Sequence, residues 1–200
     1  MMWRDAARGR IYDVSATLGE EIAYPGDPPF LREPMDDDHW ELSLLTMSAH
    51  SGTHIDSPAH LRLGRCIDRY PPDRFILPAR VVAVDGNLVG STHLLGLGSM
   101  EGWALLFRTS GSNEEISHMT PAAAMICAEL GLGLVGIDSI SVDALGEDVV
   151  HRRLMEDDIL IMEGMDLGGV PEGIYTLICL PLKIKDGEAS PVRAVLLSGR

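Results

Sequence analysis

Three histidines and an aspartate crowd into eleven residues, and this segment constrains the chain more than any other feature. The pattern is His-x-Gly-Thr-His-x-Asp-x-Pro-x-His, in which His50, His54, Asp56 and His60 are the polar groups. Neutral imidazoles and a carboxylate are good ligands for first-row divalent metals, so the fold is expected to bring them together. Asp56 has two oxygens and can bridge two ions. Gly52 lets the backbone approach closely at this point.

A metalloprotease helix is the first alternative to exclude. His50 and His54 have the spacing of the H-E-x-x-H motif, in which the glutamate is the general base. Ser51 stands in place of that glutamate, and Gly52-Thr53 disfavours a helix. A polar surface loop with idle histidines is the simpler alternative, but the density of ligand-type residues makes it the poorer explanation.

Hydrophobic periodicity predicts a strand-rich chain with few helices. Thr120 can cap a helix that starts at Pro121 and ends at Gly131, and a short helix is expected around His151 to Leu154. Expected strands lie at 11–14, 40–47, 80–84, 104–108, 134–137, 159–162, 175–184 and 192–197. The strand at 40–47 is expected to run directly into the histidine segment. We therefore expect an α/β fold with a mixed β-sheet, in one domain spanning 1–200.

The residues Gly131 to Gly136 match G-x-G-x-x-G, the fingerprint of a dinucleotide-binding loop. That fingerprint requires a strand before it and a helix after it. Here an expected helix comes first and an expected strand follows. The glycines are therefore interpreted as a helix stop and a turn.

Charge and composition limit the partners and the compartment. The formal net charge is −14, which argues against nucleic acid and anionic membranes. No apolar run of about 18 residues occurs, and the N-terminus has no signal-like apolar region, so we expect a cytoplasmic protein. The three cysteines are far apart and odd in number, which favours buried thiols over disulfides: Cys66, Cys127 and Cys179.

The histidine segment resembles the signature of the cyclase family of metal-dependent hydrolases, which includes bacterial kynurenine formamidase (arylformamidase) and isatin hydrolase. Three further segments resemble the same family. They are Tyr-Pro-Gly-Asp at 24–27, Gly-Ile-Asp-Ser-Ile-Ser-Val-Asp at 136–143, and the C-terminal stretch 181–194. Together they cover nearly the whole chain, and the histidine segment is the specific one.

The resemblance implies a binuclear metal site, with zinc as the expected metal and manganese as the alternative. It implies that Asp56 is shared between two ions and that His60 is the acid/base residue. The later histidine and the glutamate twelve residues beyond it would complete the site. The implied metal ligands are His50, His54, Asp56, His151 and Glu163.

The resemblance also implies a swivelling β/β/α fold, a homodimer and hydrolysis of a small amide. The expected reaction converts N-formylkynurenine to kynurenine and formate, a step of the kynurenine pathway of tryptophan catabolism. Two departures put this substrate in doubt: Tyr24, the expected substrate-binding residue, replaces a tryptophan, and Leu61 stands where an aromatic residue is common. An isatin-like cyclic amide is therefore the alternative substrate. A non-catalytic metal-binding module is the alternative outside the enzymes. His60 argues against it, because a pure binding site needs its ligands but no further histidine four residues beyond Asp56.

Overall fold

The structure, a computed structural model, describes residues 9–20, 23–35, 39–110 and 116–199. These ranges contain thirteen strands and two α-helices. The strands are β1 (Ile11–Asp13), β2 (Leu31–Met35), β3 (Leu42–Thr46), β4 (His54–Asp56), β5 (Ile76–Val84), β6 (Leu88–Val89), β7 (Ala104–Thr109), β8 (His118–Met119), β9 (Leu134–Ile137), β10 (Leu160–Glu163), β11 (Gly173–Ile178), β12 (Ala189–Pro191) and β13 (Val195–Ser198). The helices are α1 (Pro121–Glu129) and α2 (Val149–Glu156).

Nine strands form one mixed sheet in the order β1-β13-β11-β5-β7-β9-β10-β4-β12. The four central strands β5, β7, β9 and β10 are parallel, and the strands on either side pair antiparallel. The central strands β7 and β9 are apolar on both faces, as a parallel strand covered on both sides requires. The expected α/β class with a mixed sheet is confirmed.

Alternation along the central strands creates two apolar clusters, one on each face of the sheet. Leu105 and Phe107 point into the cluster that α1 and α2 cover. Leu106 points into the other cluster, which also contains Leu177 from β11 and Met162 from β10. Residues from opposite flanks of the sheet therefore meet on this face, so the sheet curls around it.

Both expected helices are present, and their boundaries have local causes. Thr120 Oγ1 accepts a hydrogen bond from Ala123 N at 3.2 Å, and Pro121 opens α1. Gly131, after the end of α1, adopts φ +74°, a conformation that few residues other than glycine tolerate. The chain enters β9 at Leu134, so Gly131 to Gly133 form the expected helix stop and turn, whereas Gly136 lies within the strand that follows.

Several strand predictions need correction, including the one at 192–197, whose strand begins only at Val195. The expected strand at 40–47 does not run into the histidine segment, because β3 ends at Thr46 and pairs with the unforeseen β2 in a separate two-stranded sheet. The strand expected over 175–184 ends at Ile178. The strand expected at 80–84 begins earlier, at Ile76. Among the described residues, no helix has the length and apolar character needed to cross a bilayer.

Candidate metal centre

The second half of the histidine segment is itself a strand rather than a loop. His54 and Asp56 are alternate residues of β4, so both side chains point to the same face, and Ile55 points into the apolar core on the other. The strand lies between β10 and β12, and all three of its residues are buried. Pairing on both sides of β4 thus holds two candidate ligands in place.

Cross-strand pairing brings in the first distant residue. Glu163 is directly opposite His54 in the antiparallel pair of β10 and β4. Such partners have Cβ atoms about 4.5–5.5 Å apart, on the same face. His54 Nε2 lies 3.6 Å from Glu163 Oε2, while Glu163 Oε1 accepts a hydrogen bond from Val142 N at 2.6 Å. Glu163, buried at the end of β10, is therefore held beside His54.

Helix α2 supplies the second distant residue. His151 is buried on this helix, and its Nε2 lies 3.3 Å from Glu163 Oε1 and 3.6 Å from Asp56 Oδ2. Its Nδ1 lies 2.7 Å from Asp143 Oδ2. With Nδ1 donating to that carboxylate, the lone pair of the neutral ring is on Nε2, where it faces the two carboxylates of the cluster.

His50 and His60 close the cluster from the two loops that flank β4. His50 Nδ1 lies 2.9 Å from Asp56 Oδ1, and the rings of His50 and His60 are 4.5 Å apart. Pro58 opens the 3-10 turn Pro58–Leu61 that presents His60. His60 is the exposed member of the cluster, whereas the others are buried or half-buried.

The donor set divides into two groups of potential ligands that share one residue. Ligand atoms of His50, Asp56 and His60 lie within 4.8 Å of one another, and so do those of His54, Asp56 and Glu163. Asp56 is thus common to both groups of potential ligands, and its sharing between two ions stays a prediction. His60, expected as an acid/base, also belongs to the first group.

Unsatisfied polar atoms test whether these residues fit a metal. Among the described residues, His54 Nε2 and both carboxylate oxygens of Asp56 are buried without a hydrogen-bond partner, although His50 Nδ1 is near. Buried polar atoms are almost always paired, because leaving one unpaired costs about 1–3 kcal/mol. Coordination of divalent metal by this cluster would satisfy these atoms. The residues therefore fit the metal site that the sequence predicts.

The electrostatics favour positive charge in the cluster. Burial lowers the pKa of His54, but the carboxylates of Asp56 and Glu163 more than offset it and raise that pKa to about 9. Burial also lowers the pKa of His151, but the carboxylates of Glu163 and Asp143 outweigh this effect and raise that pKa well above its ordinary value. The surrounding histidines hold the pKa of Asp56 well below its ordinary value despite its burial. Protons therefore compete with metal ions for these nitrogens, and acid should weaken metal binding.

Two residues that hold the cluster in place were not predicted from the sequence. Thr53 Oγ1 donates to Gly164 O at 2.6 Å and accepts from Ala16 N at 2.8 Å, which ties the segment to the end of β10. Asp143 accepts hydrogen bonds from Val150 N and from His151 N in addition to the ring contact. The motif at 136–143 contained Asp143, but only the fold reveals that it orients His151.

Replacing Asp143 by asparagine is expected to weaken metal affinity by about 10–100-fold, because the neutral amide no longer fixes the tautomer of His151. Affinity can be measured by competition with a chromophoric chelator. Asp148→Asn is the matched control, since Asp148 is an exposed acid at the start of the same helix, paired with Arg152. Equal affinity in the two variants would contradict the orienting role of Asp143.

Tyr24 lies beside the segment that leads into α2. Its hydroxyl accepts a hydrogen bond from Gly146 N at 3.0 Å. The loop at 24–27 that contains Tyr24 is also linked to the histidine segment through Ser48. Ser48 Oγ donates to Asp27 Oδ2 at 3.4 Å and accepts from His50 N at 3.1 Å. The substrate-binding role of Tyr24 stays a prediction.

Comparison with known proteins decides the family. The Cyclase family model matches residues 12–144. The chain belongs to the Cyclase family. A curated relative, kynurenine formamidase from Salinibacter ruber, is 36% identical over 204 residues, which span 93% of this chain and 96% of the relative.

Solved structures share the fold of this chain. A structure described as a potential metal-dependent hydrolase with cyclase activity is 26% identical and superposes with a TM-score of 0.84, covering 96% of this chain and 100% of its own. Isatin hydrolase A from Labrenzia aggregata superposes with a TM-score of 0.83 at 22% identity, covering 99% and 96%. At that identity the second likeness shows a common fold alone.

Proposed function

We propose that this member of the Cyclase family is a metal-dependent amidohydrolase that converts N-formylkynurenine to kynurenine and formate. The observation that carries the metal chemistry is the buried cluster around Asp56, whose two carboxylate oxygens accept no well-formed hydrogen bond in the described structure and face only histidine nitrogens. The substrate rests on the relative named kynurenine formamidase, which this chain matches over nearly its whole length.

Two divalent ions are proposed at the cluster, with zinc the better fit and manganese the alternative. Imidazole and carboxylate donors suit zinc, and neither excludes manganese. His50, Asp56 and His54 would hold the ions from β4 and the loop before it, and His151 and Glu163 would complete the set. When bound, the ions supply Lewis-acid polarisation of the substrate carbonyl and acidify water.

His60 is the residue proposed to move the proton. Its imidazole takes a proton from the attacking water and delivers it to the departing aryl nitrogen, so that water and the formamide become the free amine and formic acid, which releases its own proton to solvent as formate. Partial burial lowers the pKa of His60, and His50 and His151 add to this while Asp56 opposes it. A lowered pKa keeps the ring in its neutral, proton-accepting form near neutral pH. Exposure of His60 at the open side of the cluster leaves it accessible to a substrate.

Zinc-loaded protein is expected to hydrolyse N-formylkynurenine, and chelator-stripped protein is expected to regain the activity only when metal is returned. Product formation can be followed by the absorbance of kynurenine, with isatin as the comparison substrate under the same conditions. Turnover of isatin without turnover of N-formylkynurenine would move the assignment to cyclic amides. A folded, metal-loaded protein without activity on either substrate would overturn the proposed reaction.

We propose a homodimer in which a second copy covers the sheet of β2 and β3. The register places Leu31, Met35, Leu42 and Leu44 on one face of this sheet, together with Glu33 and Thr46, and the four apolar residues are about half exposed, at 47–53%. Two-stranded hairpins are marginal by themselves, and an exposed apolar face favours association. The chain's single-domain organisation and cytoplasmic location stay predictions.

Leu44→Asp is expected to convert the dimer to a monomer, because it buries a charge in the proposed interface. Light scattering during gel filtration would measure the mass of each species. Ser43→Asp is the control, since Ser43 lies on the opposite face of the same strand. A monomeric wild-type protein, or a Leu44→Asp variant that remains dimeric, would exclude this interface.

A further inference from the structure

A second group of metal-type donors lies outside the cluster around Asp56. Cys66, Asp68 and Asp186 each place one ligand atom, a thiol sulfur or a carboxylate oxygen, within 4.8 Å of the others. Cys66 is half-buried and unpaired, which differs from the fully buried thiols expected and found at Cys127 and Cys179.

Two tight turns hold these donors together. Cys66 and Asp68 flank the start of the 3-10 turn Ile67–Arg69, and Ile67 is buried with its N–H donating to Gly187 O at 2.8 Å. Asp186 occupies the facing turn with φ +54°, and Gly187 N closes that turn on Ile184 O at 3.1 Å. The donors are thus fixed by backbone contacts rather than by contacts among themselves.

Asp68 supplies a second, independent indication of a ligand. Its side chain is only 10% exposed, and its Oδ1 is buried without a hydrogen-bond partner in the described part of the chain. Its other oxygen lies 3.5 Å from Arg69 Nε. An unpaired buried carboxylate oxygen calls for an ion or a water, because a bare one is costly.

Arg69 is the cation that now balances the group. Its Nη2 lies 3.1 Å from Asp186 Oδ1, but its side chain is 62% exposed. Exposed ion pairs contribute little free energy, so a metal ion can displace this guanidinium at small cost. Arg69 thus lies near Asp68 Oδ2 and Asp186 Oδ1 but leaves Asp68 Oδ1 without a hydrogen-bond partner.

We infer that Cys66, Asp68 and Asp186 form an additional site for a thiophilic divalent cation such as zinc, distinct from the centre around Asp56. A thiolate and two carboxylates leave one position of a tetrahedral ion for water. The thiolate selects softer ions over magnesium or calcium. Binding would release the thiol proton to solvent and free Arg69 from Asp186. The site would also tie the turn at 67–69 to the turn that precedes Glu188, which lies 3.6 Å from His50 Nε2.

Cobalt(II) tests this site without reference to activity, because a thiolate ligand produces a near-ultraviolet charge-transfer band and the centre around Asp56 contains no cysteine. The full chain, kept reduced, is titrated with cobalt. We expect the band in wild-type protein, its loss in Cys66→Ser, and at least about tenfold weaker binding in Asp186→Asn. Asp73→Asn is the control, an exposed acid on the next 3-10 turn.

The band should survive in Asp56→Asn, which separates this site from the proposed catalytic centre. Absence of the band in cobalt-saturated wild-type protein would overturn the inference, whether or not the protein is an active hydrolase. Persistence of the band in Cys66→Ser, or unchanged affinity in Asp186→Asn, would overturn it as well.

Discussion

An Asp56→Asn variant is expected to lose hydrolytic activity by at least about a thousandfold, or about 4 kcal/mol of activation free energy. Asp56 lies between two groups of candidate ligands, and its two oxygens face different histidines. An amide offers one neutral oxygen in place of two charged ones, so it cannot bridge two ions. The substitution also removes the negative charge that most favours cations in the cluster.

Elemental analysis after gel filtration should therefore find that Asp56→Asn has lost the metal proposed at the cluster. Asp85→Asn serves as the control, because Asp85 is exposed and outside both donor groups. Circular dichroism would verify that each variant is folded. Full metal content in a folded Asp56→Asn protein would refute the bridging role.

The sequence predicted the parts of this site that depend on local chemistry. The candidate metal donors between His50 and His60 can be recognised from their residue types and close spacing. Gly52, in the same segment, adopts φ +64°, where a side chain would collide with Leu18. The strands β7 and β9 were predictable because buried parallel strands are continuous apolar runs bounded by turns. At these positions the sequence pattern predicts the structure because both depend on residues that are close together in the chain.

The parts that could not be predicted depend on pairing between distant residues. No periodicity shows that Glu163 lies opposite His54, or that Asp143 fixes the ring of His151, because both contacts follow from the register of β4 and β10 and the packing of α2. The hairpin partner β2 was missed because its sequence, Leu-Arg-Glu-Pro-Met, contains charges and a proline that resemble a loop.

His60→Gln is expected to retain the metal content of the wild-type protein and to lose activity by about 10²–10⁴-fold, the usual contribution of a general acid/base. Glutamine preserves the approximate size of the side chain but cannot take up a proton near neutral pH. Because ligand atoms of His60, His50 and Asp56 are close together, the experiment also decides between two roles for this residue. A ligand role predicts that an ion is lost together with the activity, whereas an acid/base role predicts that only the activity is lost.

The pH dependence separates the two roles further. A general base must be neutral, so wild-type kcat/KM should fall as the pH decreases through the pKa of His60. Burial and the neighbouring histidines lower that pKa, which places the fall below the ordinary histidine range. The His60→Gln profile should lack this acid limb wherever the metal remains bound. His118→Gln, which alters a histidine outside the cluster, should keep the wild-type profile. An acid limb preserved in metal-loaded His60→Gln would assign the proton transfer to another group.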